Sequence, residues 1–258
     1  MALIKKFRIK SYKEKQALLQ LDKISMFYNR RQILNNLNLI INKQEVLGML
    51  GPNGVGKSTI FHIITGLKDP SFGRVLINGE DCTNIPIYER AIRYKLGYVP
   101  QYGGFIQNLN LLENLKLVGE IHIKEKELRK SKIEKIISQF EFDPLLKIKA
   151  KYLSGGQKKK LVIAMALVND PNILLLDEPF AALDILTIKM LQEIIVNLQA
   201  LEKITVIVCD HQARDLLSCV DRAIVLSNGK IIASGSPNEI IKDASAKSAY
   251  FGDEFKIN

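Results

Sequence analysis

The sequence predicts an α/β protein: a parallel β-sheet covered by helices, antiparallel strands toward the amino terminus, and an inserted α-helical segment. Three observations carry this prediction. Residues 51–59, GPNGVGKST, fit the phosphate-binding pattern G-x-x-x-x-G-K-[S/T] and sit between an apolar run at 46–50 and a segment of helical periodicity at 58–67. Residues 173–176 and 204–209 are further apolar runs, without the polar alternation of a half-exposed strand, as strands buried on both faces require. Residues 18–22 and 33–41 do alternate, as antiparallel strands with one wet face do.

Taken in order, the elements follow from these patterns. The alternating strands at 18–22 and 33–41 flank Tyr28, and the apolar strand 46–50 leads into the glycine-rich loop and the helix 58–67. A strand at 73–78 ends in Asn78-Gly79, a turn signal. A short strand at 96–99 ends at Pro100-Gln101, after which residues 109–146 become helical in period and rich in Lys and Glu. LSGGQ at 153–157 opens a helix over 158–168, the apolar strand 173–176 ends at Asp177-Glu178, and a helix over 185–201 follows Asp184. The strand 204–209 stops at Asp210-His211, where a further helix begins, and residues 223–226 and 231–233 form a hairpin around Asn228-Gly229. The expected organisation is a basic extension at 1–17, one domain at 18–241 with a helical subdomain at about 102–160, and a tail at 242–258.

Composition bounds the function. With 258 residues, 47% hydrophobic, the chain can bury a sizeable core. Its longest purely apolar run, residues 161–168, is far too short to cross a bilayer, and the first residues lack the apolar stretch of a secretory signal, so a soluble protein is expected. Cys82, Cys209 and Cys219 show no metal spacing and suit a reducing compartment, with Cys209 placed in a core strand. Half of the net charge of +10 lies in the first twenty residues, where Lys5, Lys6, Arg8, Lys10, Lys13 and Lys15 face only Glu14. Aromatic residues do not interleave with these bases as a stacking platform demands, so no nucleic-acid partner is expected. A solvated extension is the favoured reading, and an anionic membrane surface is the other setting that such a segment suits.

The loop carries the chemistry. Gly51, Pro52, Asn53, Gly54 and Gly56 free the backbone to wrap an anion, and the helix opened by Lys57, Ser58 and Thr59 adds its N-terminal partial charge. Lys57 is expected to reach the β- and γ-phosphates of ATP, and the Ser58 hydroxyl to ligate Mg²⁺. Asp177 is expected to hold the same Mg²⁺, directly or through water, while Glu178 polarises the attacking water. His62 and His122 lack such context and read as structural or surface residues.

With LSGGQ, Gln101 and His211 in order around these motifs, residues 18–241 resemble the nucleotide-binding subunit of ATP-binding cassette transporters, a P-loop NTPase fold. The resemblance implies that Tyr28 stacks on adenine and that Gln101 contacts both Mg²⁺ and the membrane partner. It further implies that Ser154, Gly155 and Gly156 meet the γ-phosphate of ATP held by a second subunit, and that His211 senses the same phosphate. Ala182-Leu183-Asp184 matches the loop at the dimer interface. A homodimer with two composite sites is therefore expected, peripheral to the membrane and bound to integral permease subunits through residues near 102–146. Residues 84–90, 178–182 and 249–255 are similar to the lipopolysaccharide-export subfamily, with branched-chain amino-acid importers as the alternative. Ile106-Gln107-Asn108 and Ile185 depart from the exporter pattern, which has an aromatic followed by arginines at the first place and proline at the second. Phe105 and Ile106 are expected to anchor a partner helix or else to plug the insertion's own core.

Overall fold

The computed structural model describes residues 16–252. Nearly all of the basic extension, and Asp253-Glu254-Phe255 of the closing stretch, lie outside them. In chain order the strands are β1 (Ala17–Tyr28), β2 (Arg31–Asn42), β3 (Val46–Leu50), β4 (Phe72–Ile77), β5 (Glu80–Asp81), β6 (Leu96–Val99), β7 (Ile173–Asp177), β8 (Thr205–Cys209), β9 (Arg222–Ser227) and β10 (Lys230–Gly235). The longer helices are α1 (Lys57–Thr65), α2 (Ile87–Arg93), α3 (Leu111–His122), α4 (Lys126–Phe140), α5 (Gly155–Leu167), α6 (Ile185–Ala200), α7 (Ala213–Cys219) and α8 (Pro237–Lys242).

The strands form two sheets, a four-stranded antiparallel one in the order β2-β1-β4-β5 and a six-stranded one in the order β10-β9-β3-β8-β7-β6. In the larger sheet every neighbouring pair is parallel except the β9–β10 hairpin. The apolar runs of the sequence are its inner strands, and all five residues of β3, β7 and β8 are buried. Their side chains alternate between two cores. Leu174, Leu176, Val206 and Val208 face a cluster built with α5, α6 and α7, while Ile173, Leu175, Ile207 and Cys209 face one built with α1 and the antiparallel sheet. This two-sided burial is why the polar residues of those strands stand only at the ends, Thr205 at the start of β8 and Asp177 at the end of β7.

β1 runs much farther than the alternation suggested, β2 exceeds it by only two residues at its start and one at its end, and Tyr28, expected between the two strands, is the last residue of β1, opposite Arg31. The reason is irregular register: shifts follow Leu21, Ile24 and Met26, and Lys23 takes a left-handed φ of 53°. Each bulge inverts the inside–outside alternation, so the pattern breaks while the strand continues.

The inserted segment is α3 and α4 followed by short 3₁₀ turns at Asp143–Leu145 and Ala150–Tyr152. Fully buried Asn114 organises the loop that precedes it. Its amide oxygen accepts from the Ile106 N–H, and its amide nitrogen donates to the carbonyls of Ile106, Leu109 and Asn110. Beyond β10 the chain remains regular. A capping box of Ser236 and Glu239 starts α8, and a single π-helical turn closes at Phe251.

Candidate functional site

Because β3, β8, β7 and β6 are parallel neighbours, their carboxyl ends open on one edge of the sheet. Met49 pairs with Cys209, and Cys209 with Asp177, so the ends of β3, β8 and β7 are level. The loops that leave these ends carry residues 51–56, 210–212, 178–184 and 100–104. Ligands of open α/β sheets bind at this edge.

The loop after β3 bends through positive φ at Gly51 (150°), Gly54 (77°) and Gly56 (112°). At Gly56 the left-handed φ favours glycine, and a Cβ would lie 2.8 Å from Leu34 Cδ2, so that side chain would have to shift to admit one. Gly56 is also the N-cap of α1 and offers no side-chain acceptor to the helix's first N–H groups. Those donors suit an anion. Lys57 is buried, and its ammonium donates to the carbonyls of Gly51 (2.6 Å) and Pro52 (3.1 Å). Tyr28, Asn53, Gly54, Gly56, Lys57, Ser58, Thr59, Gln101 and Glu178, with Ile33, line a single cleft of about 440 Å³.

Asp177 ends β7 beside this cleft. Its carboxylate accepts from Cys209 Sγ (2.8 Å) and Ser58 Oγ (3.4 Å) on one oxygen and from the Tyr98 hydroxyl (3.3 Å) on the other. Burial and the neighbouring carboxylate push the thiol of Cys209 and the phenol of Tyr98 well above their usual pKa values, so both stay protonated donors. Next along the chain, Glu178 adopts φ 46°, a left-handed backbone uncommon for a residue with a Cβ. Its N–H donates to the Cys209 carbonyl at 2.8 Å, and its carboxylate accepts from Gln101 Nε2 at 2.6 Å. His211 Nδ1 stands 3.5 Å from the same Glu178 oxygen and 3.7 Å from Asp210 Oδ1. The structure thus gathers Lys57, Ser58, Gln101, Asp177, Glu178 and His211 at one sheet edge.

Ser154, Gly155, Gly156 and Asp184 line no part of that cleft. Ser154 is exposed at the start of α5, where it forms a capping box with Gln157 (3.2 and 2.9 Å). Asp184 caps α6 by accepting from the Thr187 N–H and hydroxyl, which hold its carboxyl below the usual range. A Cβ on Gly156 would come within 2.4 Å of Thr187 Cγ2, so the two helix starts pack closely only because this residue is glycine. Gly155, Lys158, Lys159 and Val162 instead border a second cleft of about 240 Å³ with Gln101, Tyr102, Phe105, Ala181, Ala182 and Leu183. Phe105 is half-buried against the larger core cluster, whereas Ile106 is exposed.

Several residues of the site carried no sequence signal. Lys159 donates to the Gln101 carbonyl at 2.7 Å, and burial lowers its pKa. Fully buried Asp210 accepts from the Phe180 N–H and the Gln212 N–H, both at 2.9 Å, and so ties the two catalytic-edge loops together. His62 packs edge-on to Tyr98, a structural role, and His122 is exposed.

Residues 34–181 match the ABC transporter family. The chain belongs to the ABC transporter ATP-binding family. Among similar proteins, an ABC transporter ATP-binding protein of Rhizobium meliloti is 36% identical over 89% of this chain and 84% of its own length. The lipopolysaccharide export system ATP-binding protein LptB of Haemophilus influenzae is 34% identical over 93% and 100%. In structure the chain resembles the ADP conformation of the ATP-binding cassette MJ1267, with a TM-score of 0.83, 28% identity, and coverage of 92% and 100%. It also resembles the dimeric bacterial cassette MJ0796, with a TM-score of 0.77, 29% identity, and coverage of 85% and 99%. The cassette is therefore the ATP-binding, ATP-hydrolysing subunit of an ABC transporter. Among the described residues no helix of the cassette is long and apolar enough to cross a membrane.

Proposed function

We propose that this cassette powers the extraction and export of lipopolysaccharide from the inner membrane, as a homodimer peripheral to its cytoplasmic face. The relatives named for lipopolysaccharide export, matched along their full length, support the cargo. For the chemistry, the supporting observation is Glu178, held at the mouth of the phosphate-binding cleft by Gln101 and faced by His211.

The roles follow from these positions. Tyr28, 40% exposed at the cleft's edge, stacks on the adenine. The backbone of residues 51–56 and the first turn of α1 bind the β- and γ-phosphates, and Lys57 exchanges its carbonyl partners for phosphate oxygens. Glu178 orients a water molecule and takes its proton as the water oxygen bonds to the γ-phosphorus. The bond to the β–γ bridging oxygen then breaks and ADP leaves. His211 donates to the γ-phosphate through its imidazole.

The donor set fits Mg²⁺, which prefers hard oxygen ligands and retains water and phosphate in its shell. Ser58 Oγ and the Asp177 carboxylate, already adjacent, supply protein oxygens, and Gln101 borders them. Among the described residues no group of three or more His, Cys, Asp or Glu could hold a metal ion. When bound, the ion neutralises the charge that develops on the β- and γ-phosphates. Cys209 and Tyr98 orient the Asp177 carboxylate by donating to it.

Ser154, Gly155, Gly156 and Asp184 lie apart from the cleft because they serve the partner subunit's ATP, which makes each site composite. The helical subdomain near 102–160, through the cleft beside Phe105, receives the permease subunits. Glu178→Gln tests the chemistry: ATP binding is retained while turnover falls by about two orders of magnitude or more. Normal turnover in that variant would remove Glu178 from its role. Reconstitution with the co-purified membrane subunits tests the cargo, since ATP-dependent release of lipopolysaccharide from proteoliposomes is expected and its absence refutes this reading.

A further inference from the structure

The C-terminal segment sends one polar group into the catalytic edge. The Tyr250 hydroxyl donates to the backbone carbonyl of His211 at 2.8 Å, with the Gly51 backbone beside it. Its ring is fixed: it packs at 5.2 Å, edge-on, against Phe251, and both rest on the larger core cluster. The turn that carries it, Lys247–Phe251, is π-helical and closes with the Gly252 N–H on the Lys247 carbonyl at 2.9 Å. Such wide turns are rare and concentrate at functional sites. Burial, with Asp210 and Glu178 close by, pushes the hydroxyl's pKa up to about 12, so it remains a donor throughout the neutral range.

We propose that Tyr250 is a positioning residue for ATP hydrolysis, holding the His211 backbone from the C-terminal segment and so fixing the imidazole relative to Glu178. The inference rests on the roles proposed above for Glu178 and His211. Residues 210–212 link β8 to α7, and the ladder with β3 runs out at the long bond from the Asp210 N–H to the Met49 carbonyl, 3.4 Å. Asp210 holds this link from one side through the Gln212 N–H, and Tyr250 holds it from the other through the His211 carbonyl. The His211 side chain is 43% exposed and its Nδ1 is 3.5 Å from Glu178, so no tight contact of its own locks the ring. Loss of the hydroxyl leaves the carbonyl to water, which satisfies it without placing it.

Tyr250→Phe keeps the ring and removes the donor. Three measurements on the full chain decide the matter: steady-state kcat and KM for ATP, equilibrium ATP binding, and thermal melting. The expected result is a kcat lowered about 3- to 10-fold, the range that one hydrogen bond supports, with ATP affinity within about 2-fold and melting unchanged. A kcat within about 2-fold of the parent overturns the inference if Glu178→Gln and His211→Ala are inactive in the same assay. Parallel losses of kcat, ATP affinity and melting temperature also overturn it, because they mark a purely structural role. If Glu178→Gln and His211→Ala both turn over normally, the reading of the site fails first, and the inference falls with it.

Discussion

Among the described residues Arg90 is the largest fully buried side chain, and its removal should be costly because it ties the end of the phosphate-binding helix to the segment after β5. Every partner of its guanidinium is a backbone carbonyl. Nε donates to Ile85 (2.6 Å), Nη1 to Ile63 (2.7 Å) and Ile64 (2.9 Å), and Nη2 to Thr83 (2.7 Å). Ile63 and Ile64 lie in the last turn of α1, where orphan carbonyls and the negative end of the helix dipole favour a cation. Burial lowers the Arg90 pKa, yet the guanidinium stays charged because its starting value is so high. Arg90→Met fills much of the volume and abandons all four carbonyls, although the Gly66 N–H still reaches Ile63 at 3.2 Å. Each buried carbonyl left without a donor costs about 1–3 kcal/mol, so orphaning those of Ile64, Ile85 and Thr83 costs about 3–5 kcal/mol even toward the low end of that range. For a chain of this length that is a fall of roughly 10 °C in melting temperature. Arg90→Lys, a point charge without the fork, should fall in between. Circular dichroism melts, with denaturant midpoints as a check, measure both variants. Arg90→Met melting within about 2 °C of the parent would refute the argument, since it would mean that water or a shifted loop satisfies those carbonyls.

Two further outcomes test the proposed assembly. Ser154→Arg, in a Glu178→Gln background, should bind ATP but fail to dimerise in analytical ultracentrifugation, with the monomer losing only about 1 kcal/mol from the missing cap; persistent ATP-driven dimers would separate Ser154 from the interface. Phe105→Ala should destabilise the isolated cassette by about 2 kcal/mol, roughly half the cost of truncating a fully buried phenylalanine, because its ring is half-buried, and should prevent assembly with the membrane subunits; a destabilised variant that still assembles would assign Phe105 to the core alone.

What the sequence revealed was whatever the chain does locally. A phosphate-binding loop requires glycines and a lysine at fixed spacing along one turn, so residues 51–59 are legible without any partner. The same holds for apolar runs that end in carboxylates, because two-sided burial forbids polar alternation. Arg90, Lys159 and Tyr250 gave no sign of their roles, since their partners are backbone carbonyls, several of them remote in sequence, and a carbonyl leaves no trace in residue type. Helix α2 went unread because its seven residues, opened by Pro86, are too few to show a period. Helix α8 was missed although Ser236-Pro237-Asn238-Glu239 is a capping-box signature with proline in the first turn, which could have revealed it.

The path of the chain explains why a residue so near its end reaches the catalytic edge. β9 runs parallel to β3 and finishes at that edge, but the hairpin turns the chain back, and β10 ends with Gly235 beside Ala223, at the far edge of the sheet. Six residues of strand span about 20 Å, so anything beyond β10 must recross that distance to meet the site. The fifteen residues from 236 to 250 make that return as α8, a break at the extended backbone of Asp243, and further helical turns, with Ala246 buried on the way, and they set the Tyr250 hydroxyl against His211. Each helical residue turns the chain by about 100°, so a deletion of one or two residues between 243 and 249 should rotate Tyr250 off the site and lower turnover as Tyr250→Phe does.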